Sequence, residues 1–127
     1  MKKVLLVEDN EMNRDMLSRR LLRNGFDVVT AENGTQGVEM AFSESPDLVL
    51  MDMNLPDIDG GEVTQQIRKR EKYGGKEQRL PIIAVTANAM SIDFKKASDA
   101  GCDEYEPKPI DFANLLEKMN ILLGVDS

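Results

Sequence analysis

Glu8-Asp9, Asp52, Thr86 and Lys108 are the residues of this chain best equipped for chemistry, and they share a setting. Val4-Leu5-Leu6-Val7 stops at Glu8-Asp9, Leu48-Val49-Leu50-Met51 stops at Asp52, and Ile82-Ile83-Ala84-Val85 stops at Thr86. Lys108 follows a shorter segment and precedes Pro109. Short apolar runs rich in β-branched residues, separated by helix-like segments, read as strands of a parallel sheet buried on both faces. Strands of such a sheet end on one side, and ligands sit at that carboxyl edge. The carboxylates, the hydroxyl and the ammonium are therefore expected to converge.

Convergence has a chemical consequence. Two carboxylates ~5 Å apart repel by about 3 kcal/mol at an effective dielectric of 20. A cluster of three must protonate, bind a cation or remain unstable. Oxygen donors alone select a hard cation, and Mg²⁺ suits a small open site that keeps several waters. The chain has no histidine, which removes imidazole ligands, Ser-His triads and imidazole bases. A carboxylate can also attack phosphorus to give an acyl phosphate. Asp52, at the end of the central run, is the candidate nucleophile. Lys108 and Thr86 would stabilise the charge on the transferring group. The plainer alternative is that these carboxylates only cap helices, with Asp9 starting the first one.

The elements that must position these groups alternate along the chain. Periodicity predicts strands at about 3–7, 26–30, 47–51, 81–85 and 103–106, and helices at about 11–24, 35–44, 60–72, 91–100 and 111–123. That is the pattern of right-handed βαβ units with helices on both faces. Met12, Met16, Leu17 and Leu21 form an apolar stripe on the first helix. Phe112, Leu115, Leu116, Met119, Leu122 and Leu123 form one on the last. Asp59 with Glu62 resembles a capping box, and Ser91 and Asp111 are N-cap candidates. Gly25 and Gly101 sit where helices end. Lys69 to Arg79 is polar and reads as a helix end plus an exposed loop, broken at Gly74-Gly75.

A chain of 127 residues makes one domain. No apolar run approaches the ~20 residues of a membrane span, and Met1-Lys2-Lys3 plus four apolar residues is short for a signal peptide. A cytoplasmic protein is expected. The lone Cys102 reads as a small buried hydrophobe. The net charge of −7 disfavours nucleic acid and anionic membranes as partners.

Four segments together resemble a bacterial response-regulator receiver domain of the CheY-like superfamily. They are Val-Leu-Leu-Val-Glu-Asp-Asn at 4–10, Asp-Leu-Val-Leu-Met-Asp-Met-Asn-Leu-Pro at 47–56 with Asp59-Gly60, Ile-Ile-Ala-Val-Thr-Ala at 82–87, and Lys108-Pro109. The resemblance spans essentially the whole chain, read as one receiver domain over 1–127 with no output domain, and a stand-alone regulator is expected. It implies an α/β, flavodoxin-like doubly wound five-stranded parallel sheet of order 2-1-3-4-5, flanked by five helices. It implies that Asp52 accepts a phosphoryl group from a phosphohistidine on a sensor histidine kinase or a histidine phosphotransfer protein. Asp9, Asp52 and the Asn54 carbonyl would hold Mg²⁺, with Glu8 acting through water. Lys108 would pair with Asp52 and then with phosphoryl oxygens, and its bond to Pro109 would be cis.

In the same resemblance Thr86 and Tyr105 form a switch pair. Phosphorylation then biases a downstream protein-binding face made by the fourth helix, fifth strand and fifth helix. Met90, Phe94 and Tyr105 are candidate contacts there. Asn13 and Met16 on the first helix lie where phosphodonor helices meet this family. Asn54 and Asn88 hold the positions that tune dephosphorylation, and neither amide is a strong base. Without the resemblance, Tyr105 is an edge-strand aromatic and Met16 is core. Two features depart from the pattern: Pro107 removes a donor from the fifth strand, which suits an edge, and the acids Asp103, Glu104 and Glu106 predict an exposed outer face there. Two other functions use related parts. A haloacid-dehalogenase-type phosphohydrolase needs an acid where this chain has Asn54, and a cap it has no room for. A phosphorylation-independent docking module would have no use for the Asp52, Thr86 and Lys108 set.

Overall fold

In the computed structural model, which describes residues 1–74, 79–87 and 91–124 (backbone only for 91–94), strands and helices alternate along the chain. They are β1 (Lys3–Val7), α1 (Glu11–Arg23), β2 (Asp27–Ala31), α2 (Gly34–Ser43), β3 (Leu48–Asp52), α3 (Gly60–Tyr73), β4 (Ile82–Thr86), α4 (Ser91–Ala100), β5 (Glu104–Pro107) and α5 (Phe112–Leu123). All strand pairings are parallel, in the order β2-β1-β3-β4-β5. The expected topology is thus the observed one. Four strands run one residue later than periodicity predicted, because the ladder continues past the apolar run. Asp52 still pairs with Val85, and Thr86 with Pro107.

The two-residue period of a strand divides the core into layers. Leu5, Val7, Val49, Met51, Ile82 and Ala84 face the cluster that holds Val38, Val63, Ile67 and Ala97, from α2, α3 and α4. Val4, Leu6, Leu48, Leu50 and Ile83 face Leu21 of α1 and Leu115 and Met119 of α5. Every residue of β3 and β4 is buried. The α5 stripe packs as its spacing predicts.

The first helix does not follow its apolar pattern. Met12 and Met16 are 71% and 53% exposed, so neither is core. The inward side of α1 instead carries Arg14, Leu17, Ser18 and Leu21. Arg14 is drawn inward because its guanidinium has backbone carbonyls to bond, as described below. Asp59 caps α3 by accepting from Glu62 N at 2.8 Å, and Asp111 caps α5. Asn10 and Asn33 cap α1 and α2, so Asp9 is not the start of α1. Ser91 is itself the first residue of α4, and its side chain is outside the described residues. Gly25 and Gly101 have positive φ, as their helix-end positions require.

At its described residues, the polar stretch from Lys69 to Arg79 holds more than a helix end and a solvated loop. Glu71 is buried and accepts from Leu80 N at 2.6 Å and from Arg68 Nη1 at 2.8 Å. Arg68 and Arg79 both reach Asp103 and the Gly101 carbonyl. These ion pairs tie α3, the start of β4 and the α4–β5 turn together at the amino edge, opposite the strand ends that matter for chemistry. Gly75 lies outside the described residues. Cys102 is buried beside Thr64, and burial pushes its thiol up from the ordinary value.

Close approach governs the β3–α3 corner. A Cβ on Gly60 would lie 2.5 Å from the Asp52 carbonyl oxygen and 2.8 Å from the Met53 Cα, both rigid backbone. Gly60→Ala is expected to lower unfolding free energy by about 1–3 kcal/mol in chemical denaturation. An unchanged midpoint would mean that the corner yields freely.

Candidate functional site

Register alone brings two carboxylates together. Val7 of β1 pairs with Met51 of β3, so the next positions, Glu8 and Asp52, are neighbours. Both continue the strand parity that faces α1 and α5, and both are buried. Exposed Asp9 adds a third carboxylate at the rim. One oxygen from each of Glu8, Asp9 and Asp52 lies within 4.8 Å of the others. At that spacing each charged pair repels by about 3 kcal/mol at an effective dielectric of 20.

The surroundings answer that repulsion in part. Lys108 Nζ lies 3.5 Å from both Glu8 Oε1 and Asp52 Oδ2. It arrives there because the ladder carries past β5: Lys108 N donates to the Thr86 carbonyl at 2.8 Å, just before a cis Lys108-Pro109 bond. The other Asp52 oxygen, Oδ1, accepts from Asn54 N at 2.9 Å. Glu8 Oε2 accepts a long bond from Asn10 N, 3.4 Å. The balance still lets Glu8 hold its proton to higher pH than a free carboxyl does. Burial first, then its hydrogen bond to Asp52 and the charge there, raise the Glu8 carboxyl from 4.5 to about 7, against smaller opposing contributions from Lys108 and Asn10.

An all-oxygen donor set short of positive charge fits a hard divalent cation. Among the described residues the cluster is made of carboxylates, with no cysteine in it to favour a softer metal. The donors sit at a rim open to solvent on the Asp9 side, where bound waters can complete a shell.

The sequence placed Glu8, Asp9, Asp52, Asn54, Thr86 and Lys108 at one edge, and the structure brings them to that edge. Thr86 is buried at the end of β4, one position beyond the Asp52–Val85 pair. Tyr105, paired with Ala84, is half-buried against the α2–α3–α4 side. Lys118 of α5 lies over its ring, 5.3 Å from the centroid, and donates to its carbonyl at 2.6 Å. Lys118 also reaches Glu106 at 3.0 Å. Glu106 is 1% exposed, so the expected exposed acidic face of the fifth strand is wrong at this position. A lysine from α5 covers it. β5 is nonetheless an edge strand, as Pro107 suggested. Asn88 and Met90, and the side chain of Phe94, lie outside the described residues.

Two residues at this edge were not singled out from the sequence. Arg14 Nη1 donates to the carbonyls of Glu8 (2.9 Å) and Asp9 (3.3 Å), while Nη2 pairs with Glu32 at 3.4 Å. Asp57, in the β3–α3 loop, bonds the start of α2. Arg14 at helical spacing from Leu17 and Leu21 was the available signal for the first. An isolated loop acid gave none for the second. A groove of about 280 Å³ opens beside the carboxylates, lined by Glu8, Asn13, Met16, Leu17, Arg20 and the Lys108–Ile110 segment.

Comparison with known proteins identifies the family. A family model described as the response regulator receiver domain matches residues 4–120. The polar-differentiation response regulator DivK of Brucella anthropi is 34% identical over 123 residues, 97% of each chain. Hybrid signal transduction histidine kinase G of Dictyostelium discoideum is 41% identical over 120 residues, 93% of this chain but 3% of the kinase. The receiver domain of sensor histidine kinase PA1611 from Pseudomonas aeruginosa PAO1, solved with a magnesium ion in its active site cleft, superposes with a TM-score of 0.86 at 36% identity, covering 97% and 98% of the two chains. A chain from the co-crystal of the Saccharomyces cerevisiae phosphotransfer protein Ypd1 with the receiver domain of Ssk1 gives 0.85 at 32% identity, covering 94% and 86%.

The Glu8 carboxyl sets a pH dependence. Its value in the folded, metal-free protein exceeds its ordinary one, so the folded state binds more protons between about pH 4.5 and 7. Stability from this group is therefore full below 4.5 and lost as pH rises through 7. Glu8→Gln is expected to flatten that fall and to raise the metal-free melting temperature at pH 8. A lower melting temperature than wild type at pH 8 would show that Glu8 stabilises as an anion.

Proposed function

The chain belongs to the response regulator receiver family, and from that membership we propose that residues 1–127 form one receiver domain in which Asp52 accepts the phosphoryl group. The observation that carries the reading is the Asp52 carboxylate itself. It is buried at the end of β3 with one oxygen toward Lys108 and the other on Asn54 N. The chain is thereby a signalling phosphoacceptor of two-component systems rather than an enzyme acting on outside substrates.

In this reading Asp9, Asp52 and the Asn54 carbonyl hold Mg²⁺, with Glu8 reaching it through water. The PA1611 receiver, with magnesium in its cleft, supports the choice of ion. When bound, the ion supplies positive charge to the phosphoryl oxygens. Asp52 forms the O–P bond in line as the P–N bond of a phosphohistidine breaks and the imidazole nitrogen leaves. Lys108, now within reach of both carboxylates, moves its ammonium to a phosphoryl oxygen. Thr86 donates its hydroxyl to another. The acceptor returns to its free state when water attacks phosphorus and the Asp52 oxygen leaves; Asn54 and Asn88 hold the positions that tune this step, and neither amide is a strong base.

The phosphodonor is a sensor histidine kinase or a histidine phosphotransfer protein, and the Ypd1 complex supports that class. The groove beside exposed Met16 is its docking place. Methionine there suits an adaptable helical partner. Thr86 and Tyr105 couple phosphorylation to the α4–β5–α5 face, where a downstream protein binds. The reading places the protein in the cytoplasm. No helix among the described residues is long and apolar enough to cross a membrane.

Incubation with a small phosphoramidate donor and Mg²⁺ is expected to add one phosphoryl group to the intact protein, read by mass spectrometry. Asp52→Asn should keep the fold and add none; undiminished addition would move the acceptor elsewhere. Lys108→Ala at saturating Mg²⁺ is expected to slow phosphorylation on the order of 10²-fold, with a near-native melting temperature. Parallel loss of rate and stability would make the lysine structural.

A further inference from the structure

The β3–α3 loop, residues 53–59, carries Asn54 yet has no regular structure of its own. Asp57 crosses from this loop to the beginning of α2. Its Oδ1 accepts from Gly34 N at 2.8 Å, and its Oδ2 accepts from Thr35 N at 2.9 Å and Thr35 Oγ1 at 2.7 Å. The partners are more than twenty residues away in sequence, so these are tertiary bonds rather than a local turn. They hold the Asp57 carboxyl well below the usual carboxylate range. The helix already has its own cap in Asn33, which serves Gln36 N. Asp57 takes the two donors that Asn33 leaves, at the positive end of the helix dipole.

Steric contact reinforces the tie. A Cβ on Gly34 would meet Ile58 Cγ1 at 2.5 Å and the Ile58 carbonyl at 3.1 Å, so the loop lies directly on α2. Asn54 is therefore confined between two fixed points. On one side its N–H is bonded to Asp52, and three residues on, Asp57 is bonded to α2. The acidic half of the donor set refers to the same corner, because Arg14 joins the Glu8 and Asp9 carbonyls to Glu32, two residues before Gly34.

We propose that Asp57 is a positioning residue for the cation site: by tying the β3–α3 loop to the β2–α2 corner it fixes the Asn54 carbonyl relative to Asp9 and Asp52. The inference rests on the Mg²⁺ reading above. Groups behind a metal's direct ligands commonly change affinity by about 10–100-fold when removed.

The test uses Mg²⁺ alone, titrated calorimetrically into the full chain at a temperature where every variant is folded. Asp57→Ala is expected to weaken Mg²⁺ binding about tenfold. Asp57→Asn, which keeps one acceptor oxygen, should recover part of the loss. Asp57→Ala combined with Thr35→Val should be no weaker than Asp57→Ala alone, since both act through one contact. Asp47→Ala, which removes a comparable bond to Lys3 N at the opposite edge of the sheet, should keep wild-type affinity. Wild-type affinity in Asp57→Ala, or equal weakening in Asp57→Ala and Asp47→Ala, would overturn this inference and leave the cation reading standing. A wild-type protein that binds no Mg²⁺ would overturn both.

Discussion

Glu8, Asp9 and Asp52 are pressed together because the β1–β3 register leaves them nowhere else to go. Val7 opposite Met51 makes Glu8 and Asp52 neighbours, and both strands are fixed by fully buried side chains on two faces. The core thus enforces an electrostatic conflict at its edge. One ammonium, Lys108, stands against the three carboxylates at 3.5 Å from two of them, and burial leaves Glu8 half-inclined to keep its proton near neutral pH. The site is poised to take up positive charge. Anything that supplies it in the folded state alone also stabilises the fold.

The two edges of the sheet treat charge differently. At the amino edge, Arg68 and Arg79 face Glu71 and Asp103 in bonds of 2.8–2.9 Å, and both also donate to backbone carbonyls. Such a network is already satisfied and asks for no ligand. At the carboxyl edge, among the described residues, three clustered carboxylates face Lys108, whose contacts are longer. Between them, β5 carries another buried acid, Glu106, held by Lys118, which also lies over Tyr105. The Tyr105 ring is therefore in contact with α5.

The fold was legible because long-range order here follows from local pattern. Each apolar run of four specified a strand buried on both faces, and parallel connection then set where its end must lie. Asp52 and Thr86 could be placed from that alone. The errors came where charge overrode hydrophobicity. Met12 and Met16 fit a helical stripe by spacing, but Arg14 occupies the inward side because two loop carbonyls need donors that apolar side chains lack. Glu106 looked exposed because it is acidic, and is buried because a lysine twelve residues later in α5 covers it. Asp57 could not be found by period or motif, since its partners are three donors from a distant helix. Tertiary hydrogen bonds between loops leave almost no trace in composition.

The melting temperature of the wild-type protein with and without Mg²⁺ at pH 8, above the Glu8 value of about 7, measures the conflict directly. Relief of repulsion in the folded state predicts a clear rise that saturates with Mg²⁺ and is not reproduced by the same ionic strength of NaCl. A midpoint indifferent to Mg²⁺ would mean that the three acids do not form a cation site, and the account of this edge would be wrong.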